Sequence, residues 1–86
     1  MTYAVSWKLD AILELNRIEA AAADPKVVRE ASARMDFALR RYPKDMGESR
    51  DVGFRIWYED VLGVYYRIDD AAMQVEVIYV GPTRRR

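Results

Sequence analysis

The stretch DPKVVREASARMDFALRRYP, residues 24–43, carries the clearest periodic signal in the chain. Val28, Ala31, Ser32, Met35, Ala38, Leu39 and Tyr42 recur at helical spacing and fall on one face of a helical wheel. Lys26, Arg29, Ala33 and Arg40 fall opposite. Asp24 is placed to cap this helix. Pro25 suits its first position, where the missing N–H has no intrahelical partner in any case. Pro43 halts the helix soon after Arg41.

Working outward, residues 8–23 are rich in Leu, Ala and Glu, all good helix formers. Asp10, Glu14 and Arg17 make a narrow polar stripe, while Leu9, Ile12, Leu13, Leu15 and Ile18 cover most of the rest. A helix so broadly apolar must touch more than one neighbour. The short link at Asp24-Pro25 predicts an antiparallel helical hairpin. Ahead of it, Tyr3, Val5 and Trp7 alternate with Ala4 and Ser6, which reads as a short strand. Residues 43–52 are polar and read as a connecting loop. Phe54 to Tyr58, Leu62 to Ile68 and Gln74 to Val80 are strand-like. Turns near Glu59-Asp60 and at Asp69 to Ala72 join them as a meander. The first strand must pair with that meander, or its backbone groups would go unsatisfied. The expected fold is α+β in the order β-α-α-β-β-β. One domain over 1–86 places the helical hairpin on one face of an antiparallel-rich sheet.

Composition narrows the chemistry. The 86 residues include neither cysteine nor histidine, so disulfides, thiolate metal sites and imidazole acid–base catalysis are excluded. No metal or other cofactor is expected. Fourteen acidic residues balance fourteen basic ones, so net charge does not draw the chain to nucleic acid. The opening residues lack a signal-peptide pattern, and no apolar run reaches the roughly 20 residues of a membrane span. The cytoplasm is the expected location, with no membrane partner.

Several residues have both a functional and a structural reading. Arg55 and Arg67 alternate with apolar residues on adjacent strands. They are either phosphate or partner contacts on the solvent face, or solvated arginines whose stems cover aromatic rings. Trp57 and Tyr65 are expected to share their face, as partner or base-stacking surfaces or as core. Phe37 lies opposite the apolar stripe of the second helix among Arg34, Arg40 and Arg41. It either docks a partner, a second copy of the chain included, or packs on a neighbouring element. The tail Arg84-Arg85-Arg86 is a grip for phosphate or acidic residues, or a frayed, solubilising end. The face of Tyr79 cannot be read, because its strand is apolar on both sides. Asp69-Asp70 fits a turn and lacks the ligand count of a calcium loop. Asp10 and Glu14 read as a solvated helix face.

Four segments carry a resemblance. Leu39 and Pro43 are followed by Gly47, and Gly53-Phe54-Arg55-Ile56 opens a strand. Val64-Tyr65-Tyr66-Arg67-Ile68-Asp69 forms the next strand and turn. Val75-Glu76-Val77-Ile78-Tyr79-Val80 precedes Arg84-Arg85. In this order and at this length the chain resembles the RelE/ParE superfamily, the toxins of type II toxin–antitoxin and plasmid-stabilisation systems. The resemblance implies a small toxin held inactive by a cognate antitoxin. RelE-like members cut messenger RNA on the ribosome, and ParE-like members inhibit DNA gyrase. For the RelE branch it implies that Arg55, Arg67 and Arg84, with Tyr65, would act on the phosphate by positioned charge. An arginine of that branch aligns with Gly63 here, and no tyrosine or histidine follows the last strand. The ParE branch inhibits by binding and needs no catalytic residue. It is the branch expected, with Phe37, Arg40, Arg41, Trp57 and Arg85 as partner contacts. Whether the chain is an enzyme stays open at this point.

Overall fold

A computed structural model describes residues 2–83. Arg84 and Arg85, named above as candidates, lie outside the described residues, as does Arg86. Seven elements follow one another: β1 (Ala4–Trp7), α1 (Leu9–Ala21), α2 (Pro25–Arg41), β2 (Glu48–Asp51), β3 (Phe54–Glu59), β4 (Leu62–Asp69) and β5 (Gln74–Pro82). The α+β fold with a helical hairpin on one sheet face is as expected, with one element more.

That element is β2, which lies inside the stretch read as a loop. Its four residues Glu48-Ser49-Arg50-Asp51 are all exposed, so no apolar alternation announces it. It forms because β3 has a free edge whose N–H and C=O groups need partners. The turn at Val52-Gly53 folds the chain back onto it, pairing Glu48 with Ile56 and Ser49 with Arg55. A short, charged strand at a sheet edge also discourages pairing with other chains.

The sheet order is β1-β5-β4-β3-β2. β2, β3, β4 and β5 are antiparallel in succession, while β1 joins the far edge parallel to β5, pairing Val5 with Val75 and Trp7 with Val77. The first and last strands thus lie side by side. The parallel junction needs a crossover, and the helical hairpin is the first part of it.

α2 begins as its sequence dictates: the Asp24 carboxylate accepts the Lys26 N–H at 3.1 Å, and Pro25 takes the first turn. Its buried side chains are Val28, Ala31, Met35 and Leu39, four of the seven in the expected stripe. Tyr42 departs from that stripe and is exposed. The helix ends at Arg41, and the non-helical backbone of Tyr42 (φ −133°, ψ 45°) carries its ring away. α1 turns Ala11, Leu15 and Ile18 inward but leaves Leu9 68% and Leu13 54% exposed. The core is completed by Leu62, Val64 and Tyr66 of β4 and Val75, Val77 and Val80 of β5. Burial of each such side chain contributes about 1.5–3 kcal/mol. Among the described residues no helix is long and apolar enough to cross a membrane.

Two polar latches close the core. The Tyr66 hydroxyl donates to the carbonyl of Pro43 at 2.6 Å and lies 3.1 Å from that of Met46. Burial pushes this phenol up to about 12. The Tyr3 hydroxyl donates to Asp70 Oδ1 at 2.6 Å, and Lys44 Nζ meets Asp70 Oδ2 at 3.1 Å. These two hydrogen bonds, the tyrosine's first, hold the Asp70 carboxyl below its ordinary value.

Candidate functional site

Because strand side chains alternate, the register decides which residues share a face. Phe54 pairs with Arg67, Ile56 with Tyr65 and Tyr58 with Gly63. These six face away from the helices. Arg55, Trp57 and Glu59 pair with Tyr66, Val64 and Leu62, so they point to the helix side. Arg67 in turn pairs with Glu76, and Tyr65 with Tyr79. Between Val77 and Tyr79 the ladder shifts by one residue at Ile78, a β-bulge that re-aims Tyr79 onto the open face.

The open face is therefore an aromatic floor. The Phe54 and Tyr65 rings stack, with centroids 5.6 Å apart and an 18° interplanar angle, and Tyr79 tilts against Tyr65 at 6.2 Å. Tyr79 is 69% exposed, and Tyr58 is also open to solvent. At the turn end of the floor sits Gly63, paired with Tyr58. A Cβ there would lie 2.6 Å from Cδ1 of Tyr58, so the Tyr58 ring occupies the space a side chain would need. A ring laid across a strand glycine restores the packing that the glycine lacks. Beside it a shallow hollow of about 220 Å³ is lined by Ile56, Tyr58, Gly63, Tyr65, Tyr79 and Gly81.

Charge is sparse on this floor. Arg67 Nη2 lies 3.5 Å from Glu76 Oε1, across the strand pair. Both side chains are solvated, so the pair contributes little stability, about 0–1 kcal/mol. It does, however, place a negative charge beside that arginine. Among the described residues, no group of three or more acidic side chains is placed to hold a metal ion.

The residues expected to act together are divided by the fold. Arg55 does not share the face of Arg67. Its Nε donates to the Met46 carbonyl at 2.7 Å and its Nη2 to the Gly47 carbonyl at 3.0 Å, pinning the loop that leads into β2. Trp57 is likewise turned to the helix side, half-buried against the core, and does not share the face of Tyr65. The expectation of one Arg–Trp–Tyr face fails because the hairpin register sets Phe54, not Arg55, opposite Arg67. Tyr65 and Arg67 share the open face, which for Tyr65 removes the core reading.

Phe37 is 58% exposed on the outer surface of α2, with the Arg41 guanidinium 3.8 Å from its ring centroid. Arg40 donates to Asp36 at 2.8 Å, and the other oxygen of that carboxylate accepts the Trp7 indole N–H at 3.1 Å. Arg34 is engaged with Glu59 at 2.8 Å and Asp60 at 3.4 Å, tying α2 to the β3–β4 turn. Phe37 and Arg41 thus form a small cation–π patch in the helical layer, apart from the aromatic floor.

Sequence reasoning missed Phe54, Ile56 and Tyr58 as members of the open face. The signal that finds them is the two-residue turn between Glu59 and Leu62. It fixes the β3–β4 register once the apolar set Leu62, Val64 and Tyr66 is assigned to the core.

No protein-family model and no curated protein matches the chain. Solved structures do. One chain of the toxin–antitoxin complex RelBE2 from Mycobacterium tuberculosis superposes with a TM-score of 0.69 at 22% identity, over 96% of this chain and 93% of that one. One chain of the chromosomal ParDE TA system from P. aeruginosa superposes with a TM-score of 0.74 at 13% identity, over 95% and 97%. At these identities the likeness is one of fold. The chain has the RelE/ParE-like fold that the four sequence segments pointed to.

Proposed function

We propose that this chain is the toxin-like component of a type II toxin–antitoxin pair, working in the cytoplasm and acting by protein binding in the manner of the ParE branch. The shared fold with chains of RelBE2 and ParDE supports the coarser half of this reading. The observation that carries the finer half is the make-up of the open face. Phe54, Ile56, Tyr58, Tyr65 and Tyr79 make up that face, and Gly63 at its turn end is the position that the resemblance aligns with an arginine of the ribonuclease branch. Arg67 shares its charge with Glu76, and Arg55 is committed to a loop on the other side. A surface of solvated aromatics with few charges suits a protein partner. Phosphate cleavage by positioned charge needs converging cations. DNA gyrase is the first target to test, and a cognate antitoxin is the partner expected to silence the chain. Phe37 and Arg41 are a second, smaller contact on the helical side.

Induced expression tests this directly. The expected result is growth arrest without new ends in ribosome-bound messenger RNA, together with slowed supercoiling by gyrase incubated with the purified chain. A Tyr58→Ala/Tyr79→Ala variant should relieve the arrest while keeping its fold by circular dichroism. New RNA ends, lost on Arg67→Ala, would replace this reading with a ribosome-dependent endoribonuclease using Tyr65, Arg67 and Arg84. An absence of arrest would leave a non-toxic interaction module.

A further inference from the structure

α1 has two apolar sides, and the fold uses one. The inner side, Ala11, Leu15 and Ile18, packs against the rest of the chain. The outer side carries Leu9, Leu13, Asn16 and Ala20, all exposed. They are spaced four, three and four residues apart, the spacing of a heptad seam that packs against another helix. Leu9 and Leu13 are the largest side chains of that seam, and Ile12 is exposed beside it.

The charges flanking the seam specify the partner. Asp10 and Arg17 lie on the same flank, one full heptad apart. Both are exposed. Asp10 has no ion pair among the described residues. Arg17 meets only Glu14 of its own helix, at 3.3 Å, with the arginine side chain 78% exposed. In an antiparallel pair of identical helices, positions one heptad apart on one flank come opposite each other. Asp10 then meets Arg17 of the partner subunit, and Arg17 meets the partner's Asp10. Leu13 packs beside the partner's Asn16, and Leu9 beside the partner's Ala20. In a parallel pair this flank would face the opposite flank of the other copy, leaving Arg17 beside the partner's Ile12 with no opposite charge to meet. The stripe complements itself only in the antiparallel sense, which is what a two-fold, isologous interface requires.

We propose that the outer side of α1 is a homodimer interface, in which two copies of this chain pack their first helices antiparallel across a two-fold axis. The interface is one short helix per copy, so it belongs to the weak, small-area class of associations. It is independent of the toxin reading: either can fail while the other stands.

Sedimentation equilibrium or light scattering on the purified full-length chain, from about 10 to 500 µM, tests this class of weak dimer. The wild-type chain is expected to associate reversibly to a dimer across that range. Asp10→Lys sets two like-charged pairs against each other and should weaken the dimer about tenfold. Asp10→Lys/Arg17→Glu reverses both partners and should restore it. Leu13→Glu should leave only monomer. All three positions are exposed, and thermal melts by circular dichroism verify that each variant is folded. A monomer at every concentration overturns the proposal. So does a dimer indifferent to Asp10→Lys, or one that the double reversal fails to restore.

Discussion

Replacing Tyr66 with phenylalanine removes one oxygen from the core and tests how the α2–β2 loop is held. The hydroxyl donates to the Pro43 carbonyl at 2.6 Å and stands 3.1 Å from that of Met46, while the ring is fully buried. A typical hydrogen bond contributes about 1 kcal/mol net, and leaving a buried acceptor unpaired costs about 1–3 kcal/mol. Arg55 still donates to the Met46 carbonyl, so the Pro43 carbonyl bears most of the loss. The expected destabilisation is about 2 kcal/mol, at the middle of that range. In a domain of 60–100 residues each kcal/mol moves the midpoint by about 4–8 °C, so the melt should shift by roughly 8–16 °C. The pH dependence gives a second reading. The phenol titrates at 10.0 when unfolded and is pushed up to about 12 in the fold. Its contribution is therefore complete below pH 10 and is lost as pH rises towards 12, because the unfolded chain releases its proton first. The Tyr66→Phe protein should lack that part of the alkaline fall. Thermal melts of both proteins at neutral pH measure the first effect, and urea titrations between neutral and alkaline pH measure the second. A midpoint within roughly 2 °C of wild type, together with parallel alkaline limbs, would refute the latch.

Arg55→Ala should lower stability by about 1–2 kcal/mol, since a charged donor to two loop carbonyls is lost, while leaving partner binding by the open face unchanged. Combined with Tyr66→Phe it should be non-additive by more than about 0.5 kcal/mol, because both groups act on Met46; a double-mutant cycle in urea reads this. Gly47 has φ +63°, and an added Cβ would run into the Ile56 carbonyl and lie 2.7 Å from Trp57 Cβ. Gly47→Ala should therefore cost at least about 2 kcal/mol and release β2, visible as faster amide exchange at Ser49. Asp70 has its carboxyl held below 3.8 by Tyr3 and Lys44, so its contribution is present above that pH and lost as the pH falls through its folded value. Asp70→Asn should flatten the acid limb of the stability profile below pH 3.8, and an unchanged limb in acid titration followed by circular dichroism would remove this role.

The helical hairpin was legible because its cues are local. Asp24-Pro25 starts α2, Val28, Ala31, Met35 and Leu39 repeat at the helical period, and Pro43 ends it. Strands β3, β4 and β5 were legible from their β-branched and aromatic runs. β2 was not, since Glu48-Ser49-Arg50-Asp51 has neither alternation nor β propensity and exists only because β3 offers an edge. The candidate site was half legible. Tyr65 and Arg67 lie where the period of two predicts, but Arg55 and Trp57 fall on the other side. Alternation tells which residues of one strand share a face. It does not tell which face of the next strand they share, since that depends on turn geometry. Tyr79 needed the bulge at Ile78 to be assigned at all.

By itself the sequence determined six of the seven elements, the absence of thiol and imidazole chemistry, and the likeness of fold. The elements and the missing chemistries follow from propensities, periods and composition that act within a few residues, and the likeness from the order and spacing of four motifs. Only the tertiary structure decided the parallel seat of β1 beside β5, the aromatic floor of Phe54, Tyr65 and Tyr79, the use of Arg55 as a loop clamp and the solvent exposure of Leu9 and Leu13. Those outcomes depend on strand register and on which surfaces the rest of the chain covers, and both are set by contacts between residues far apart in the chain.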